Sequence, residues 1–147
     1  MRDNISDEVK QELDSIIKLS NKELEEFKSL KDVKISVGYN ITDLKDIIIS
    51  VKSGLYHMYK MYISYHLLGH YNFDVSYFNE KKLSKSFMSY DEICLFIKHF
   101  LNKSVNEVCK YSSTLIQLDD SLKEITDKCV KDYSEDAKLL KANKTAS

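Results

Sequence analysis

The chain has 147 residues, 43% of them hydrophobic and 31% charged, and its 22 Lys and Arg against 23 Asp and Glu leave a formal net charge of -1. That length suits one domain with a core of its own, 1–147, and so even a balance gives no global field to recruit a polyanion, so nucleic acid is not an expected partner. Acidic residues follow Met1-Arg2 as far as Glu8, no secretory apolar core is present, and no apolar stretch is long enough to span a bilayer; neither export nor membrane insertion is expected, and the protein is placed in the cytoplasm.

Cys94, Cys109 and Cys129 are odd in number and widely spaced, which argues against a disulfide framework or a metal knuckle and for buried free thiols. Proline is absent, and the glycines are Gly38, Gly54 and Gly69. The chain thus lacks the punctuation that sheets and long ordered loops usually need, and an all-α fold is expected.

Helix starts are sought in Ser-x-x-Glu boxes, where the serine hydroxyl accepts from a free backbone N–H and the glutamate reaches back. Four occur: Ser20/Glu23, Ser89/Glu92, Ser104/Glu107 and Ser121/Glu124. Residues 7–31 place Val9, Leu13, Ile16, Leu24, Phe27 and Leu30 on one side, predicting one or two amphipathic helices with a bend at Ser20. Residues 33–39 alternate like a strand but find no evident partner strand, so they are read as a connector. Asn40 or Thr42 is expected to cap a long central helix reaching Leu68, apolar around most of its circumference. A short helix and a loop follow, ending in the basic run Lys81-Lys82-Leu83-Ser84-Lys85. From Ser89, steps of three and four carry one helix to Leu118, so that Ser104 is interior, and Asp119-Asp120-Ser121 breaks it. A last helix, Leu122 to Leu140, has a seam of Leu122, Ile125, Cys129, Tyr133 and Ala137 suited to a neighbouring helix or a second copy of the chain. Residues 138–147 are expected to fray.

Histidine and tyrosine concentrate between Tyr56 and Tyr71. On a helix, His66 and His70 would share a face with Tyr59 and Tyr62, fit either for a hydrogen-bonded rim or for a partly polar pocket holding an anion or the head of an amphiphile. Two histidines four apart could also begin a metal site, but no third ligand stands at a committing distance, and no metal is assigned. Lys60 with His66 is similar to the arginine–histidine element of helical ribonucleases of the HEPN class, with lysine where the guanidinium fork is needed. No phosphate-binding glycine loop, Ser/His/Asp set or paired-carboxylate motif is evident, so the protein is not expected to be an enzyme.

The run Tyr65-His66-Leu67-Leu68-Gly69-His70-Tyr71-Asn72-Phe73-Asp74-Val75-Ser76-Tyr77-Phe78 resembles the stretch of globin-like sensor domains in which a histidine is followed by apolar residues, a glycine and an aromatic pair. Ile93 to Tyr111 is similar to their next long helix. The family's proline and tryptophan are missing, and the haem-ligating position falls at Tyr65 or His66. The chain therefore looks most like the haem-less members, stand-alone sensor domains of bacilli that resemble the input domain of a sporulation histidine kinase.

That resemblance implies a globin-like domain of about six to eight helices, a fatty acid in an apolar tunnel, chloride in a polar chamber, and no haem. It also implies a homodimer through the terminal helices and inhibition of sporulation through the sensor histidine kinase or its signal. The expected ligand-binding residues are His66, His70, Tyr62, Tyr59, Leu55, Met58 and Phe96. Two alternatives stand beside this non-catalytic sensor: a helical protein-binding module such as an immunity or anti-defence protein, and a haem-based gas sensor using His66.

Overall fold

The computed structural model describes residues 6–43, 45–53, 57–66, 69–77, 80–87, 89–111 and 115–146, side chains at 57–58, 115–116 and 143–146 excepted. Helix α1 (Asp7–Leu24) and a 3₁₀ turn (Glu25–Phe27) lead into strands β1 (Val33–Tyr39), β2 (Asp46–Ser53), β3 (His57–Tyr65), β4 (Tyr71–Tyr77) and β5 (Glu80–Phe87). Helices α2 (Tyr90–Lys110) and α3 (Leu115–Ala146) complete the chain. The strands form one antiparallel sheet in the order β1-β2-β3-β4-β5, each hydrogen-bonded to its sequence neighbours. The expected all-α, globin-like fold is thereby corrected to an α+β one.

The correction has a physical cause in the alternation of residues 46–65. On β2, Ile47, Ile49 and Val51 are buried while Ser50 and Lys52 are not; on β3, Tyr59, Met61 and Ile63 are buried while Lys60, Tyr62 and Ser64 are not. Two β-rich stretches with their outward positions partly filled by Ile48 and Tyr62 present the same grease on every side as a central helix. Residues 33–39 do find their partner, since Val33, Ile35, Val37 and Tyr39 stand opposite Ser53, Val51, Ile49 and Ile47. Lys81, Lys82 and Lys85, read as part of a loop, lie on edge strand β5, where lysines discourage pairing with another sheet.

The helices pack on one face of the sheet. Leu13, Ile16, Ser20 and Leu24 make the buried stripe of α1, which meets α2 and β1. Along α2 the buried residues Ile93, Phe96, Ile97, Phe100, Leu101 and Val108 serve both neighbouring helices and the sheet. Phe96 stacks on Phe100 at 5.1 Å and meets Phe73, Phe87 and Tyr133 at 5.1 to 5.5 Å between ring centroids. Most of the α3 seam packs within the chain: Leu122, Cys129, Tyr133 and Ala137 are buried and Ile125 is half-buried, and the Cys129 thiol donates to the His99 carbonyl at 3.2 Å. Cys129 and Tyr133, whose seam suggested a homodimer, pack inside the chain.

Of the serine boxes, Ser89 is a true cap, its hydroxyl accepting from the Glu92 N–H at 3.2 Å. Ser6, outside every box, caps α1 through the Val9 N–H. Ser20, Ser104 and Ser121 lie inside helices; α2 ends at Lys110 and α3 starts at Leu115, ahead of the break expected at Asp119. The end of the chain is helical to Ala146, where fraying was expected from 138.

Candidate functional site

Three tyrosines on the inner face fasten the sheet to the helices. Tyr39 donates to Asp14, Tyr71 to Glu12 at 2.5 Å, and Tyr77 to Asp119 at 3.1 Å. Burial, then the neighbouring carboxylate, pushes all three phenols above their ordinary range.

At the Tyr77 end the sheet and the first half of α3 do not close completely, leaving a cleft of about 320 Å³. Val75, Leu83 and Leu122 give it an apolar wall, and Lys82, Asp119, Lys123 and Asp127 a charged rim. A register shift beside Val75 and Ser76 sets Leu83 opposite Val75 and Lys81 opposite Ser76, so that Lys82 is the extra residue of a β-bulge. Lys82 and Leu83 both reach the cleft as a result. Lys82 pairs with Glu80 at 2.9 Å and with Asp119 at 3.7 Å, and its ammonium stands 5.2 Å from the centre of the Tyr77 ring. The Glu80 hydrogen bond is the main reason its pKa is raised. Lys123 has no ion pair among the described residues.

Tyr59 also lines this cleft. It is 1% exposed, its ring 5.8 Å from that of Tyr77, and its hydroxyl has no hydrogen-bond partner of normal geometry. The nearby Ser104 hydroxyl donates to the Leu101 carbonyl at 3.1 Å. Burial pushes the Tyr59 phenol up, and Ser104 opposes this only in part. An unpaired buried donor costs about 1–3 kcal/mol, so an acceptor placed here would recover an existing penalty.

The other expected ligand residues do not join Tyr59. Tyr62, three positions along β3, is half-buried on the opposite face of the sheet. His66 is exposed and His70 half-buried in the β3–β4 connection, roughly 20 Å from Tyr59 by the rise of a strand. There the His66 N–H donates to the His70 carbonyl at 2.8 Å, and Gly69, at φ +83°, takes the left-handed conformation that turns the chain. Phe96 is fully buried in the aromatic core. Leu55 and the side chain of Met58 lie outside the described residues.

In the sequence Lys82 belongs to a basic run and Asp119 to a helix-breaking stretch; only the fold brings them to Tyr77. On the helical side, His99 and Asp136 pair at 2.7 Å between α2 and α3, while burial raises the Cys94, Cys109 and Cys129 thiols. No group of three or more His, Cys, Asp or Glu among the described residues is placed to hold a metal, and no described helix is long and apolar enough to cross a membrane. Comparison with protein-family models, characterised proteins and solved structures finds no match.

Proposed function

We propose that this chain is a non-catalytic binding domain whose cleft between β3–β5 and α3 takes a small carboxylate-bearing amphiphile. Tyr59, which lines that cleft and whose buried hydroxyl is unpartnered, carries the reading. The ligand's head group accepts from Tyr59 and faces Lys82 and Lys123, while its body lies against Val75, Leu83 and Leu122. A cleft of about 320 Å³ is at the lower end of the range for small-molecule sites, which favours a medium-length chain over a long one. A sensor role, in which filling the cleft alters the packing of α3 on the sheet, is the form of this reading that continues from the sequence. The tie to a sporulation kinase rested on a helical plan that the sheet replaces.

Thermal melting against straight-chain carboxylates from hexanoate to palmitate tests the proposal, because a ligand selective for the folded state raises the melting temperature with concentration. The expected optimum lies at intermediate chain length. Tyr59→Phe should weaken that ligand roughly three- to tenfold and Lys123→Glu should weaken it further, with both variants folded. No shift at any chain length would remove the proposal.

A further inference from the structure

The outer face of the sheet supports an inference independent of the cleft. Residues opposite one another on antiparallel strands share a face, so the register sorts the outward positions into rungs. Lys34 stands opposite Lys52; on the next rung Ser36, Ser50, Lys60, Ser76 and Lys81 follow one another across the five strands. Gly38, Ile48, Tyr62, Asp74 and Ser84 form the third rung. None of these residues is buried, in contrast to the inward positions of β2, β3 and β4.

The first two rungs therefore carry Lys34, Lys52, Lys60 and Lys81 with no carboxylate among their described side chains, and none of the four makes an ion pair with a described residue. At a strand spacing near 4.8 Å this basic band extends about 20 Å across the sheet. The serines between the lysines are short enough to leave a flat floor. Next to the band, Ile48 and Tyr62 form a directly opposed, half-buried aliphatic–aromatic pair, and one carboxylate oxygen of Asp74 is enclosed without a hydrogen-bond partner.

We infer that this face docks an acidic polypeptide segment, its carboxylates on Lys34, Lys52, Lys60 and Lys81 and an apolar side chain on Ile48 and Tyr62. Charge complementarity selects an acidic partner. A single-stranded nucleic acid would want several aromatic platforms, whereas the described part of this face offers Tyr62.

Fluorescence anisotropy with a labelled peptide of alternating glutamate and leucine tests the docking, alongside oligothymidylate and phosphatidylserine-containing vesicles as competing occupants. The peptide is expected to bind, more weakly at higher salt. The double variant Lys52→Glu/Lys60→Glu should weaken it roughly tenfold or more, whereas Lys128→Glu on α3 should not change it. Because the reversed lysines are outside the cleft, the carboxylate melting shift should survive in the double variant, separating failure here from failure of the cleft reading. Absence of peptide binding, indifference to the double reversal, or preference for the oligonucleotide or the vesicles would overturn the inference.

Discussion

Tyr59 and Tyr62 sit three residues apart on β3 and differ in everything but their chemistry. One is 1% exposed on the inner face with an unpaired hydroxyl; the other is half-buried on the outer face beside Ile48. The inner face is apolar and packed by helices, with a cleft at its Tyr77 end. The outer face is polar, basic at one end and open. The same strands thus divide their two faces between stability and contact, and the division follows from a side-chain period of two.

The largest expected effect is on the inner side. Phe96 is fully buried among Phe73, Phe87, Phe100 and Tyr133, so Phe96→Ala should cost about 3–5 kcal/mol in urea unfolding. Tyr62→Ala on the outer face should cost no more than about 1 kcal/mol. Equal losses would mean that the outer face is buried in solution, against the division drawn here.

Alkaline pH should attack the inner face selectively. Tyr39, Tyr59, Tyr71 and Tyr77 all have phenols raised above their ordinary value, chiefly by burial, and Tyr133 is pushed up to about 12 by burial and then by Glu92. A raised phenol favours the neutral form in the folded state. Its contribution is full below the unfolded pKa near 10 and is lost as pH climbs from there toward the folded value. Tyrosinate absorbance and helical ellipticity followed together should show these phenols ionising in one step with unfolding. Their ionisation while the ellipticity is still intact would contradict their burial.

The helices were largely legible in the sequence. Val9, Leu13 and Ile16 mark α1, and Ser89 with Glu92 marks the start of α2. The sheet was not, because its turns use chemistry that also caps helices. In the β1–β2 connection the Asn40 side chain accepts from the Thr42 N–H at 3.1 Å and Asp43 accepts from the Lys45 N–H at 3.0 Å. Asn40 and Thr42 read equally as a helix cap, since an Asx turn and an N-cap satisfy backbone N–H groups in the same way. A hairpin made by asparagine and aspartate needs no proline and few glycines. Of the candidate site, Tyr59 was singled out, but its companions were not, because Asp119 is far from it in sequence and Lys82 owes its direction to a bulge.

Smaller effects should separate two inner tyrosines by sign. Tyr71 has Glu12 as its acceptor at 2.5 Å, so Tyr71→Phe removes a made hydrogen bond and should destabilise by about 1 kcal/mol. Tyr59→Phe removes an unmade one and should be neutral or stabilising by up to about 1 kcal/mol without ligand, while weakening ligand binding. Equal destabilisation by the two would show that Tyr59 already has a partner, and the case for the cleft would fall with it.

The smallest effect belongs to the outer face. Lys34 and Lys52 are directly opposite, an arrangement that disfavours the sheet, and a cross-strand charge pair changes stability by roughly 0.2–1 kcal/mol. Lys52→Glu turns repulsion into attraction and should stabilise the fold by a few tenths of a kcal/mol at low salt, with the gain shrinking as salt screens it. The same substitution should weaken binding of the acidic peptide, so stability and docking would move in opposite directions at one residue. Parallel urea and anisotropy titrations of this variant at low and high salt read both quantities. If Lys52→Glu destabilised the protein at low salt, the lysines would be bracing the sheet, and the opposition between its two faces would lose its strongest support.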